Sequence, residues 1–321
     1  MAGPAGVALL AALAIAVTAW GAARLSLSLG GNFFFTAVSM VLLLGTTSIH
    51  WLARPHVFSW LLTLAFIAVA ERERRSPGGR TLAALPLLAC AWANLHGSFL
   101  LGPTILFIYA IGEWLGRQRQ NAGLRFAGAC LASLVATFVN PYGWRLHQHV
   151  IAYLNNDYLM DHISEFRSFS FHSAGALYVE LFLLIAVLGI LALLRQRAFG
   201  PALLGLAMLH MSLYSARHLP TAAVLLLPLS VAALTREAKD WPGLAPLLGY
   251  SGRLRVFDRK VWGFVPVVLV LAVTFAGLNA AAGSGSAGFS PSKFPVRAAD
   301  FLERRDLGGR IFAKDQWGGY L

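Results

Sequence analysis

Apolar runs of about 15 to 20 residues recur along the chain, and short polar stretches separate them. A helical run of that length crosses the hydrocarbon core of a bilayer, which is about 30 Å thick. The pattern therefore predicts an all-α fold, a polytopic transmembrane helix bundle of about ten spans. The predicted spans are 5–23, 33–51, 57–70, 82–95, 98–115, 124–139, 175–194, 199–215, 218–234 and 261–280.

The segment 140–174 is too polar to span a membrane, and its Asn-Pro and Gly favour a turn. From Trp144 to Met160 apolar residues recur at helical spacing, which is typical of an amphipathic helix on a membrane surface. We therefore expect 140–174 to form an external amphipathic loop region.

Two domains follow from these assignments. Residues 1–282 are predicted to form a transmembrane helical domain with a cytoplasmic loop at 235–260. GSGSAG at 283–288 is typical of a flexible linker. Residues 283–321 are expected to contain this linker and the start of a truncated periplasmic region.

Composition agrees with a membrane protein, since 57% of the residues are hydrophobic and 12% are charged, against about 25% charged in soluble domains. The formal net charge is +12, and most basic residues lie in 71–80, 116–125, 195–197 and 236–260. Arginine and lysine gather in cytoplasmic loops of membrane proteins. The charge thus indicates topology, and no nucleic-acid partner is expected.

With this orientation every histidine falls at an outer helix end or in an outer loop. Two explanations stay open: histidine rings are tolerated at bilayer interfaces, or chemistry takes place on the outer face. The nine are His50, His56, His96, His147, His149, His162, His172, His210 and His218.

Outer turns supply candidate ligands for a lipid phosphate. Arginine binds phosphate through two parallel hydrogen bonds, although an arginine at an interface also snorkels to lipid without any specific role. Asn94 and His96 alternatively cap helix ends around Gly97. The predicted substrate-binding residues are Arg54, His56, Asn94, His96, Arg145, Arg217 and His218.

The outer loop also holds three carboxylates, Asp157, Asp161 and Glu165. On a continuing helix Asp161 and Glu165 would share a face, because they are four residues apart. They are candidate catalytic bases, and solvated surface charge is the alternative. A divalent metal with His162 or His172 stays open, but no recognised ligand spacing predicts a metal site.

Five short patterns between residues 45 and 225 carry a family resemblance: RPHVFSW, WANLHGSFLLG, VNPYGWRLH, SEFRSFSFHS and ARHLP. They resemble a family of bacterial multi-pass membrane proteins similar to the GT-C glycosyltransferases, which use polyprenyl-phosphate sugars. The resemblance implies a GT-C-like fold in the bacterial inner membrane, with a periplasmic active site built from loops and helix ends. Its expected partners are a polyprenyl-phosphate sugar and membrane lipids. Sugar transfer of this kind needs a carboxylate base and cations that stabilise the leaving phosphate.

The chain departs from that pattern in one respect. Such enzymes carry a catalytic Asp or Glu in their first external loop, and no such loop is visible here. We therefore expect a fragment that lacks one helix and the acidic loop at its start, and a periplasmic domain at its end.

Two other functions remain as alternatives. A transporter would place ionisable residues within spans, and Glu180 is the main candidate. A non-catalytic envelope assembly protein would leave the outer histidines without a role.

Overall fold

The computed structural model describes residues 3–116, 120–261 and 294–305, and isolated positions at 268, 272, 276, 277, 309 and 312. Every regular element within these residues is helical, which confirms the all-α prediction. The predicted span 261–280 lies almost wholly outside the described residues, and so does the linker at 283–288. Of the expected periplasmic region, the helix Val296–Arg305 is described.

Twelve α-helices precede that segment in the described part of the chain. They are α1 Gly3–Ser28, α2 Phe33–Thr47, α3 His56–Arg75, α4 Leu85–Ala93, α5 Leu101–Gly116, α6 Gln120–Ala136, α7 Trp144–Leu154, α8 Asp157–His162, α9 Ala176–Arg195, α10 Phe199–Tyr214, α11 Leu219–Ala238 and α12 Ala245–Val261.

Five stretches are long and apolar enough to cross a membrane: Gly6–Ser28, Phe33–His50, Gly97–Gly116, Ala176–Arg195 and Ala216–Ala238. Three shorter apolar helices accompany them, at Thr81–Ala93, Asn121–Ala136 and Phe199–Tyr214. The chain is therefore a membrane-embedded helical protein. Five of the ten predicted spans have full length in the described residues, and helices also occupy the predicted spans at 57–70, 82–95, 124–139 and 199–215.

Helix α11 forms the centre of the bundle. It packs against α1, α2, α3, α9 and α10, and nearly all of its side chains are buried, Pro228 included. A helix that is buried on every side must be apolar on every side, and the sequence LPTAAVLLLPLSVAAL meets that condition.

Glycines let neighbouring helices approach closely. A Cβ at Gly112 of α5 would collide with the backbone of Gly200 in α10, and a Cβ at Gly189 of α9 would collide with Ser230 in α11. Small residues at such crossings are the usual device for helix packing in lipid, where van der Waals contact replaces the hydrophobic effect.

Helices α3 and α11 both run from one polar end of the bundle to the other. Helix α3 begins at His56 and ends at Arg75, a rise of about 28 Å at 1.5 Å per residue. That length matches the hydrocarbon core of about 30 Å. We call the two polar ends the histidine end (His50, His56, His96, Glu165 and Arg217) and the arginine end (Glu71, Glu73, Arg74, Arg125 and Arg236).

The segment 140–174 is helical in two pieces, so the single helix predicted from Trp144 to Met160 is wrong. Helix α7 stops at Leu154, and Asn156 caps the short helix α8 by accepting a hydrogen bond from Leu159 N at 3.1 Å. Helix α7 leaves Trp144, Ile151 and Leu154 more than half exposed. Apolar exposure of this kind suits a helix that lies on a membrane surface.

Candidate functional site

Three turns from distant parts of the chain meet at the histidine end, around the carboxylate of Glu165. His50 Nε2 lies 3.5 Å from Glu165 Oε2, and Arg217 Nη1 lies 4.0 Å from Oε1. The side chain of His50 is 13% exposed, that of Glu165 is 28% exposed and that of Arg217 is 30% exposed. The carboxylate therefore has one cationic neighbour, the Arg217 guanidinium, and one imidazole neighbour, and it keeps access to solvent.

The backbone of the same turns holds Glu165 in place. Ser215 Oγ donates a hydrogen bond to the Glu165 carbonyl at 3.0 Å, and Ala216 N donates to the Arg167 carbonyl at 2.9 Å. The Arg217 guanidinium lies 4.9 Å from the centre of the Phe166 ring, a cation–π contact. Glu165 and Arg217 are thus positioned by one shared junction between the segment 140–174 and the start of α11.

The turn before α3 contributes His50 and His56. His56 Nε2 donates to the His50 carbonyl at 2.9 Å, and the two ring centres are 4.4 Å apart. His56 is buried at the first turn of α3, and Pro55 precedes it as the N-cap residue. Arg54 is exposed on this turn, close enough for its charge to act on both histidines.

The turn between α4 and α5 contributes His96, whose Nδ1 has hydrogen-bond partners in the same turn and on α3. It accepts a hydrogen bond from Ser98 N at 3.3 Å and lies 3.0 Å from Ser59 Oγ. Ser59 Oγ in turn accepts from Trp92 Nε1 and from Ser98 Oγ. Because Nδ1 accepts, the ring proton of neutral His96 sits on Nε2.

His96 is neutral near pH 7. Burial lowers its pKa from 6.5 to about 4, and the charges of Arg217, His56 and His50 act in the same direction. The His96 ring centre is 6.4 Å from that of His56, so the ring belongs to the histidine end. It also caps the turn at Gly97–Leu100, so the capping interpretation is correct for this residue.

The side-chain amide of Asn94 donates to backbone carbonyls outside the cluster. Its Nδ2 donates to the carbonyls of Cys90 at 2.8 Å and Val139 at 2.9 Å. The side chain therefore ties the end of α4 to the end of α6.

His218 is half-buried and directly precedes α11, beside Arg217.

Three other predicted site residues do not join the cluster. Asp157 and Asp161 are exposed on α8, and Arg145 is exposed on α7. Helix α8 ends at His162, and Ile163 is extended at φ −86 and ψ 115. The expectation that Asp161 and Glu165 share one helix face is therefore wrong, because the helix stops between them.

The neighbours of the Glu165 carboxylate are His50 and Arg217, so the metal site left open with His162 or His172 gains no support there. His162 Nδ1 donates to the Tyr158 carbonyl at 2.9 Å instead. Across the described stretches, no three His, Cys, Asp or Glu side chains are grouped to hold a metal ion.

Three residues of the cluster were missed in the choice of site residues. His50 lies in the same SIHWLARPH turn as Arg54, and Ser59 follows His56 by three residues on the same helix face. Ser98 lies within hydrogen-bond reach of His96 in the same turn. The local spacing could have pointed to Ser59 and Ser98, whereas the contact between His50 and Glu165 depends on tertiary structure.

The arginine end is a second polar cluster, and it was not predicted. Glu71 is 2% exposed and accepts from Arg74 Nε at 2.9 Å, Arg74 Nη2 at 2.8 Å and Tyr109 OH at 2.8 Å. Glu73 is 0% exposed and accepts from Arg125 Nε at 2.6 Å and Gly78 N at 3.0 Å. Residues 71–75, expected in a cytoplasmic loop, are the last turn of α3.

Two open hollows lie outside the histidine end. One of about 430 Å³ is lined by Phe138, His147 and Ile151 among others, and one of about 450 Å³ lies beside Arg80 and Arg125. The histidine end is therefore selected by its chemistry and not by cavity size.

The fold and this cluster define a class: a membrane-embedded helical protein with a carboxylate, cations and neutral imidazoles at one end of its bundle. No protein-family model matches the chain, and no curated protein matches it.

Proposed function

We propose that this protein is a membrane glycosyltransferase-like enzyme. It transfers a sugar from a polyprenyl-phosphate-linked donor to an acceptor, on the periplasmic face of the bacterial inner membrane. The observation that carries the proposal is the placement of Glu165 between His50 and Arg217, with Arg54 on the adjoining turn.

The proposed reaction uses these groups in separate roles. The acceptor hydroxyl attacks the anomeric carbon of the sugar, and Glu165 takes the hydroxyl proton. The bond between the anomeric carbon and the phosphate oxygen breaks, and the polyprenyl phosphate leaves with its negative charge. Arg217 and Arg54 stabilise that charge, because preorganised cations act most strongly where charge develops. His96 donates from Nε2 to a sugar hydroxyl.

The location of the cluster supports a lipid-linked donor. The histidine end lies about one bilayer thickness from the arginine end, so its cations fall near the depth of lipid phosphates. The positive-inside rule assigns the basic segments 71–80 and 236–260 to the cytoplasm. The histidine end then faces the opposite side, where a flipped lipid-linked sugar is available.

Glu165 is a better base candidate than Asp157 or Asp161. Both aspartates are exposed on α8, whereas Glu165 is partly enclosed and adjoins both an arginine and a histidine. Only Glu165 is therefore placed to take a proton next to a bound phosphate.

The transporter alternative gains no support from Glu180. This side chain is exposed near the start of α9 and does not lie in the bundle interior, where a carrier would place an ion-coupling carboxylate. A non-catalytic assembly protein is the outcome that remains if the turnover test below fails.

The test is turnover of labelled short-chain polyprenyl-phosphate sugars by membranes that contain the full chain. We expect Glu165→Gln to lower transfer of the label by about 100-fold or more, as expected for loss of a general base. Asp157→Asn and Asp161→Asn are matched controls that should leave transfer unchanged. Transfer that survives in Glu165→Gln but is lost in Asp157→Asn would contradict the assignment of the base.

A further inference from the structure

An open groove of about 450 Å³ lies at the arginine end, between the start of α4 and helix α6. Its polar lining includes Arg80 and Arg125, and its apolar lining includes Leu82, Pro86 and Ala132. Nothing in the proposed sugar transfer uses this groove.

The groove runs from cationic to apolar along α6. Helices α4 and α6 both begin at the arginine end, since Arg125 pairs with Glu73 there, and both finish where Asn94 bonds to the Val139 carbonyl. From Arg125 to Ala132 the helix rises about 10 Å. The cations therefore lie at the membrane boundary, and the apolar part points toward the bilayer centre.

The apolar part of the groove has room for an acyl chain. A Cβ added at Gly128 would meet nothing within 4 Å, and Ala132 is exposed. The large side chains around the groove also face outward: Leu87 is 74% exposed, Leu124 63%, Leu131 64% and Val135 60%. Apolar surface of this kind is lipid-facing in a membrane protein, so an acyl chain is the natural occupant.

The mouth of the groove carries uncompensated positive charge. Arg125 is paired with Glu73, whereas Arg80 is exposed and forms no ion pair with a carboxylate in the described part of the chain. The single negative charge of a phosphodiester between the two guanidinium groups would balance the charge of Arg80, and the planar guanidinium suits phosphate oxygens.

We propose that this groove binds one anionic phospholipid. Its phosphate lies between Arg80 and Arg125, and one acyl chain lies along Pro86, Gly128 and Ala132. Basic pockets between helices on the cytoplasmic side are suited to such headgroups. A free phosphate would use the mouth alone and would leave the apolar part of the groove unfilled.

The test uses the purified full chain and native mass spectrometry, with phosphatidylglycerol and phosphatidylcholine as probes. We expect one phosphatidylglycerol to be retained in preference to phosphatidylcholine. Arg80→Gln should weaken that binding about tenfold. Gly128→Leu should also weaken it, by filling the path of the acyl chain without any change of charge, and Ala132→Leu serves as a second variant of the same kind.

Arg72→Gln is the matched control, because Arg72 is exposed at the same end of α3 and does not line the groove. It should change the affinity by less than about twofold. Equal losses in Arg72→Gln and Arg80→Gln would show diffuse attraction and overturn the proposal. So would unchanged binding in both groove-filling variants, or equally tight binding of glycerol phosphate, which has no acyl chains.

Discussion

Both polar ends of the bundle contain glutamate and arginine side chains, but the two ends pair them differently. At the arginine end, Glu71 is 2% exposed and accepts three hydrogen bonds of 2.8 to 2.9 Å. At the histidine end, Glu165 is 28% exposed, and its neighbours His50 and Arg217 stand at 3.5 and 4.0 Å. A buried carboxylate whose oxygens are fully hydrogen-bonded holds helices together. An accessible carboxylate with longer contacts can exchange its partners for a substrate.

Removal of the carboxylate at the arginine end should have the largest effect on stability. Glu71→Ala removes the acceptor that Arg74 and Tyr109 share, and the Glu71 side chain is only 2% exposed. We expect the free energy of unfolding to fall by about 3 to 5 kcal/mol, the usual cost of breaking a buried pair by deleting one partner. Thermal unfolding in detergent measures it, and a loss below about 1 kcal/mol would show that the pair behaves as a surface contact.

The histidine end should make the stability of the protein depend on pH through His96. His96 has a pKa near 4 in the folded protein, since burial disfavours its charged form, and near 6.5 when unfolded. Between these values the unfolded chain binds more protons, so stability falls as the pH drops from about 6.5 to about 4. Above pH 6.5 the contribution is fully present.

The measurement is the thermal midpoint at pH 7 and pH 5 for the native chain and for His96→Asn. We expect the midpoint of the native chain to fall more on acidification than that of the variant. Equal falls in both would mean that His96 is not held neutral by its surroundings.

The smallest expected effect is that of Tyr109→Phe at the arginine end. The substitution removes the hydroxyl that donates to Glu71 at 2.8 Å, while Arg74 still occupies both carboxylate oxygens. We expect a loss of about 1 kcal/mol in the free energy of unfolding, typical of one hydrogen bond. A loss as large as that of Glu71→Ala would mean that the tyrosine, and not the arginine, secures the carboxylate.

The helices were largely predictable from the sequence, because apolar runs are a local signal. The predicted spans 175–194 and 199–215 correspond to α9 at Ala176–Arg195 and α10 at Phe199–Tyr214. Helix α3 was placed five residues too short at its end, since ERERR resembles a charged loop. Its glutamates are tolerated in the helix because Arg74, Tyr109 and Arg125 neutralise or bond them.

The site was only partly predictable. The turns that carry Arg54, His56, His96 and Arg217 were identified from local chemistry, and they converge at the histidine end. The choice among the three acids could not be predicted from the sequence. Asp157, Asp161 and Glu165 differ only in how the loop folds back. That choice depends on the bonds from Ser215 and Ala216 to the backbone of the loop, which join segments far apart in the sequence.

The most direct test of the central claim is a double measurement on Glu165→Gln: transfer of sugar from a polyprenyl-phosphate donor, and the thermal midpoint of the same preparation. We expect transfer to fall about 100-fold or more while the midpoint stays near that of the native chain, because a partly exposed ion pair contributes about 1 kcal/mol or less. Undiminished transfer, or a fall in transfer that accompanies a collapse of the midpoint, would contradict the assignment of Glu165 as the reactive carboxylate.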